Sequence, residues 1–181
     1  MGFVMRKTEE KFGMFLLRNL AGVLAIVWMC VIFAFSAQTK EESGAVSESF
    51  TFHMVSSTRT FFHLDLSDAR VKEIADTIEG LVRKAAHMTE YGVLSVLLYI
   101  WIGQWEMSFL RRGITAFFAA AVYAATDEIH QLFVAGRSGR FSDVLIDSSG
   151  ALLGVLIFAL IVRIVKRIHR RRIKRAMEEE Q

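Results

Sequence analysis

Three groups of polar side chains interrupt otherwise apolar sequence. The first is Arg83-Lys84-x-x-His87-x-x-Glu90-Tyr91. On a helix, His87 neighbours the positions three and four away on either side, so Arg83, His87, Glu90 and Tyr91 share a face. The second group places Tyr123, Asp127, His130 and Gln131 on one face, with Glu128 turned ~100° from Asp127. The third is Arg137 and Arg140, followed by Asp143 and Asp147 one helical turn apart. Several kinds of chemistry fit these types. Arg83, Arg137 and Arg140 offer planar forks to phosphate or carboxylate oxygens. His87, Glu90 and Asp127 are the candidate catalytic residues, acting as general acid or base. Lys84, Tyr91, Glu128, Gln131, Asp143 and Asp147 join the three arginines as candidate ligand-binding residues.

His87, Glu90, Asp127, His130, Asp143 and Asp147 also have the donor types for Mg²⁺, Mn²⁺ or Zn²⁺. No HExxH-type pair is present, however, and the neighbouring arginines repel a cation, so no metal and no cofactor are expected. Arg83, Lys84, Arg137 and Arg140 stand against Glu90, Asp127, Glu128, Asp143 and Asp147, and this near-cancellation equally fits a structural ion-pair network. No nucleophile is signalled, since Ser148 and Ser149 read as small packing residues. His53, His63 and His169 read as interfacial or exposed.

Elements that position these groups are long and apolar. The chain has 181 residues, 53% of them hydrophobic, with no proline and a single cysteine, Cys30, which excludes both disorder and an internal disulfide. Four runs have the ~20-residue length of a membrane span: residues 20–37, 85–105, 113–134 and 146–165. Gly92 to Gly103 and Gly113 to Ala125 are apolar on all sides, unlike the faces of a soluble bundle. The expected fold is therefore all-α, a single polytopic membrane domain of four transmembrane helices in a compact bundle, with a basic tail at 166–181. The first run is preceded by Arg6, Lys7, Lys11 and Arg18 and followed by Ala34-Phe35-Ser36, as a signal peptide would be. Its apolar stretch is too long for an h-region, which favours a retained anchor.

Between spans one and two, Val71, Ile74, Ala75, Ile78, Leu81 and Val82 mark an extracytoplasmic amphipathic helix, capped by Ser67 or Asp68, that lies on the bundle or runs into span two. Residues 45–64 either dip into the interface or cover the outer mouth. In span four, Gly150 and Gly154 form a GxxxG pattern below Asp147, which lets another helix approach closely and holds Asp143 and Asp147 against spans two and three.

Charge placement gives orientation. Eight Lys/Arg follow from Arg163 onward, four precede span one, and Arg111 and Arg112 lie between spans two and three. Lys and Arg collect on the cytoplasmic side, so both termini are expected there and the polar groups at the outer ends. The formal net charge of +3 is then a basic inner side and an acidic, arginine-punctuated outer one. A basic run straight after a span reads as a topology signal and an anchor for anionic lipid. Nucleic-acid binding is not expected.

Arg83-Lys84-x-x-His87-x-x-Glu90-Tyr91, Asp127-Glu128-x-x-Gln131 and Arg137-x₅-Asp143-x₃-Asp147-x₂-Gly150-x₃-Gly154 resemble the hallmark blocks of the VanZ-like membrane proteins. Phe35-Ser36-x-Gln38 does so too, with Thr39 where the family often has proline. The resemblance spans Val31 to Gly154. It implies a multi-pass protein of the bacterial plasma membrane, in a family whose namesake is associated with teicoplanin tolerance and whose biochemical activity is not settled. Together with the outward polar cluster, it leads to the expectation of a site for an envelope amphiphile: a lipid-linked cell-wall intermediate, a phospholipid head group or a lipoglycopeptide. Binding without chemistry, hydrolysis or group transfer on a lipid phosphate, and action through partners behind a structural ion-pair network all remain open.

Overall fold

In the computed structural model the backbone is described for residues 2–179, and side chains for residues 12–173, 175, 177 and 178. Five helices follow in order: α1 Gly2–Ser36, α2 Lys40–Phe61, α3 Asp68–Ile102, α4 Phe109–Gln131 and α5 Phe141–Glu179. With no proline to remove a backbone donor, α1, α3 and α5 run unbroken for 35, 35 and 39 residues. Their starts are set by side chains that accept otherwise unpaired amide hydrogens. Thr39 begins α2 in a reciprocal capping box with Glu42. Donation by the Thr39 backbone and hydroxyl holds the Glu42 carboxyl below its ordinary value. Ser67 caps α3 by accepting from the Arg70 amide, and Ser108 caps α4 by accepting from the Arg111 amide.

The amphipathic helix and span two are one element. α3 leaves its cap at Ser67 and continues without interruption to Ile102, packing against each of the other four helices. Its N-terminal third forms a small core with α2, in which Val71 and Ala75 are buried against Val55, with Phe52, Ile74 and Ile78 around them. Leu81 does not belong to that face and stays 68% exposed. Residues 45–64 are mostly α2, which lies over α3.

The C-terminal two-thirds of α3 builds the main core. Tyr91 and Leu94 are fully buried, Leu98 and Tyr99 nearly so, against Ile32 of α1, Ala151 and Val155 of α5, and Ala116, Ala120 and Ala124 of α4. Alanine at every fourth position gives α4 a flat stripe on which larger side chains of the other helices rest. α3 and α5 meet through small residues: a methyl at Gly150 would overlap the Met88 backbone, and one at Gly154 would meet the Gly92 backbone and the Ser95 hydroxyl. The Ser95 hydroxyl donates across this contact to the Ala151 carbonyl at 2.8 Å. The GxxxG reading of span four thus corresponds to an observed seam.

Large apolar side chains cover the outside of the bundle, for example Leu20, Val23 and Ile26 on α1 and Leu156, Ile157 and Leu160 on α5. Stretches Phe12–Ser36, Asp68–Ile102 and Phe141–Ile173 are long and apolar enough to cross a membrane. α4 falls short of that composition because Arg111, Arg112, Asp127, Glu128 and His130 lie within it. Several boundaries differ from expectation. α3 stops at Ile102 rather than 105, the helix of the third apolar run starts at Phe109 and stops at Gln131, and α5 begins at Phe141 and continues the basic segment after residue 165 as helix through Glu179.

Candidate functional site

The three polar groups converge where α3, α4 and α5 meet the loop after α4. Asp127, Glu128, Gln131 and Asp147 are all buried despite their polarity, and Tyr91 is fully enclosed among them. Asp127 comes from α4 and Asp147 from α5, while His87 and Glu90 reach in from α3. His87 Nδ1 lies 3.9 Å from Glu90 Oε2 and 3.8 Å from Asp147 Oδ1, so the imidazole stands between two carboxylates. Gln131 donates to Asp127 at 3.5 Å, and the Ser36 and Tyr91 hydroxyls face the same carboxylate. Asp127 Oδ1, Ser36 Oγ and Tyr91 Oη are nonetheless buried without a hydrogen bond of good geometry. Leaving such atoms unpaired costs ~1–3 kcal/mol each, which a bound donor or acceptor would recover.

The cations have other duties. Arg83 pairs with Glu79 one turn earlier, at 2.5 Å. Arg137 donates Nε to the Gln38 carbonyl at 2.9 Å and an Nη2 hydrogen to the Phe35 carbonyl at 3.3 Å. Burial, then the neighbouring Arg83, push its guanidinium below the ordinary value. Arg140 donates its backbone N–H to Glu128 Oε2 at 2.8 Å. Among the described residues no Lys or Arg side-chain nitrogen lies within 4.0 Å of a carboxylate oxygen of Glu90, Asp127, Glu128, Asp143 or Asp147. Opposite charges are gathered here but not paired off, which is not how an ion-pair network lowers its energy. No group of three or more His, Cys, Asp or Glu among the described residues is arranged to hold a metal ion.

Two cavities open on this cluster. One, of about 300 Å³, is polar, with Lys84, Arg140, Glu128, Gln131, Asp143 and Asp147 on its walls. The other, of about 380 Å³, lies between α1, α2 and α3 and is mainly apolar, walled by Ile32, Phe35, Val46, Phe50, Val82 and Ala86. Arg83, His87 and Arg137 line both. Asp127 and Glu90 are reached from the apolar side.

The family model described as VanZ/LLP1 matches residues 21–163. The chain belongs to the VanZ/LLP1 family. Compared with curated proteins and with solved structures, it matches none. The VanZ/LLP1 match takes in every residue of the cluster and the whole α3–α5 seam.

Within this VanZ/LLP1 domain the structure brings together all of the sequence candidates around the two cavities except three. Tyr91 sits beneath the cavities in the core, and Gly150 and Gly154 belong to the helix seam. His130, which shares a helical face with Asp127 in sequence, is turned toward α1, its ring 4.4 Å from Phe33. Sequence reasoning missed Lys40 and Glu79 of the polar cavity and Ser36 beside Asp127. Glu79 was legible as the acidic partner four residues before Arg83. Lys40 carried no local signal, because its proximity depends on how α1 hands over to α2, and Ser36 was marked only by the Phe35-Ser36-x-Gln38 resemblance. Two further bonds fix α1 in place: the Trp28 indole N–H donates to the Glu90 carbonyl at 2.9 Å, and the Tyr123 hydroxyl to the Met29 carbonyl at 2.7 Å.

Proposed function

We propose that this VanZ/LLP1 protein spans the bacterial plasma membrane four times, with both termini cytoplasmic, and binds an envelope amphiphile in the outer leaflet. The observation that carries the reading is the pair of cavities, polar and apolar, that share Arg83, His87 and Arg137 as a common wall. A charged head of phosphate or carboxylate size suits the polar chamber, where the side chains of Lys84 and Arg140 have no carboxylate within 4.0 Å among the described residues, and the first part of a hydrocarbon tail suits the apolar one. Lipid-linked wall intermediates, phospholipids and acylated glycopeptides share this two-part chemistry. Teicoplanin-type tolerance is accordingly the phenotype to score.

Four crossings are supported by the ~20-residue length of each apolar run and by the excess of Lys and Arg at both ends and between α3 and α4. α4 tolerates its acidic end because Asp127 and Glu128 face protein rather than lipid.

Dodecyl phosphate tests the binding site, with dodecanol and inorganic phosphate as half-ligands. Calorimetry on the purified protein is expected to show binding of dodecyl phosphate well above either half. Arg140→Gln should weaken it about tenfold by removing one charged donor, and Phe50→Ser should weaken dodecyl phosphate and dodecanol alike. Equal affinity for dodecanol and dodecyl phosphate, or no effect of Arg140→Gln in folded protein, would overturn the reading.

One contact favours a second reading, a phosphate-ester hydrolase. His87 between Glu90 and Asp147 has the surroundings of a general acid or base. Release of inorganic phosphate from dodecyl phosphate, lost in His87→Ala while binding persists, would establish it, and binding without product would leave a binding protein.

A further inference from the structure

At the opposite end of the bundle α5 carries a second concave surface. A cavity of about 500 Å³ opens between the start of α4 and the last third of α5, and its walls include Phe109, Arg163, Lys166, Arg167, Arg170 and Arg171. The five basic residues recur three and four apart, so one helix face presents them all in the same direction. No acidic side chain lines the cavity. Among the described residues none of these five has a carboxylate within 4.0 Å. The Arg163 guanidinium lies 5.8 Å from the centre of the Phe109 ring, which holds the uppermost cation at the mouth of the groove.

Depth along α5 supplies the second part of the argument. From Ile146, a hydrocarbon core takes up ~20 residues of helix, which brings Arg163 to its far edge. Lys166 to Arg171 then lie within ~12 Å beyond it at 1.5 Å per residue, the depth of phosphate head groups. Phe109 and Val162 form the apolar side of the groove, where the glycerol and first methylenes of a lipid would rest.

We propose that this groove is a specific site for an anionic lipid, held by its phosphate oxygens. Five cations around one cavity, none with a carboxylate within 4.0 Å among the described residues, exceed what a single phosphodiester balances, so a head group with two phosphates should be preferred over one with a single phosphate. The site is separate from the outer amphiphile site, and only its assignment to the inner leaflet rests on the topology proposed above. It differs from the diffuse attraction of any basic tail for an anionic bilayer, where every Lys or Arg near the surface counts about equally. Here Arg167 and Arg170 should matter, whereas Arg172 and Arg175, exposed and outside the groove, should not.

The test is retention of cardiolipin, a two-phosphate lipid, by the full chain in mild detergent, read by native mass spectrometry. Phosphatidylglycerol is the one-phosphate comparison. Wild type and R172Q/R175Q are expected to retain one cardiolipin in preference to phosphatidylglycerol, and R167Q/R170Q to retain about tenfold less. Inorganic phosphate at millimolar concentration should not displace the lipid. Equal losses in the two double variants would reduce the groove to diffuse charge and overturn the proposal, as would no retention by wild type. Displacement by inorganic phosphate would reassign the groove to a soluble anion. All four substituted arginines are exposed, so folding should survive; K166Q/R171Q serves in place of R167Q/R170Q if that variant does not yield folded protein.

Discussion

Arg137 donates through Nε to the carbonyl of Gln38 at 2.9 Å, tying the link after α4 to the end of α1 across 99 positions of sequence. A second donation, to the Phe35 carbonyl at 3.3 Å, uses the same planar fork. A guanidinium read from sequence as a ligand-binding group is therefore also a strut between two loops. Arg137 also lies on the wall shared by the two cavities.

Arg137→Ala is expected to lower stability by about 1–3 kcal/mol, the range for hydrogen bonds from a charged donor and the acceptors they leave behind. Arg137→Lys should recover little of it, because an ammonium cannot reproduce the fork. Unfolding of the purified variants in detergent measures this. A wild-type transition in Arg137→Ala would show that the loop contacts do not hold α1.

Glycines of α3 and α5 should respond in opposite directions. At Gly150 a methyl would lie 2.5 Å from the Met88 Cα and overlap its carbonyl, so Gly150→Ala must separate α3 from α5 and should cost about 1–3 kcal/mol. Gly80 has nothing within 4 Å of where a methyl would stand, and Gly80→Ala should stabilise α3 by up to about 1 kcal/mol through a stiffer unfolded chain. The pair is read by unfolding in the same detergent. Equal shifts would contradict the seam.

Whether α4 crosses the membrane is decided by two positions on either side of it. In a Cys30→Ser background, Ser138→Cys is expected to react with a membrane-impermeant maleimide in intact cells, and Glu106→Cys only after permeabilisation. Asp65→Cys should behave like Ser138→Cys. Labelling of 106 and 138 from the same side would mean three crossings and would separate the charge-based orientation from the bundle.

Much of the architecture was legible in advance because a bilayer imposes strong rules on composition. Length and apolarity marked α1, α3 and α5, and the absence of proline let them run unbroken. A cap at Ser67 or Asp68 and the apolar face of Val71 and Ala75 were legible, and the structure decides the cap for Ser67. The same rules misplaced the ends of α4, since an apolar run does not coincide with a hydrogen-bonded helix where polar residues and a loop share its last turn. They also kept Leu81 on a face that it leaves.

Composition and spacing by themselves determined which residues a membrane would tolerate only with partners or a task, because each ionisable side chain in a span carries a cost that the local sequence cannot hide. They named His87, Glu90, Asp127, Arg137 and Asp147 without indicating whether these pair with one another. Tertiary structure alone decided that. Glycine contacts at 150 and 154 set how closely α5 approaches α3, and this places Asp147 against His87. The Arg137 bonds fold the α4–α5 link over the end of α1. Charge balance is a sum and survives any arrangement; pairing and cavity shape depend on distances of a few ångström between helices far apart in sequence, and those come only from packing.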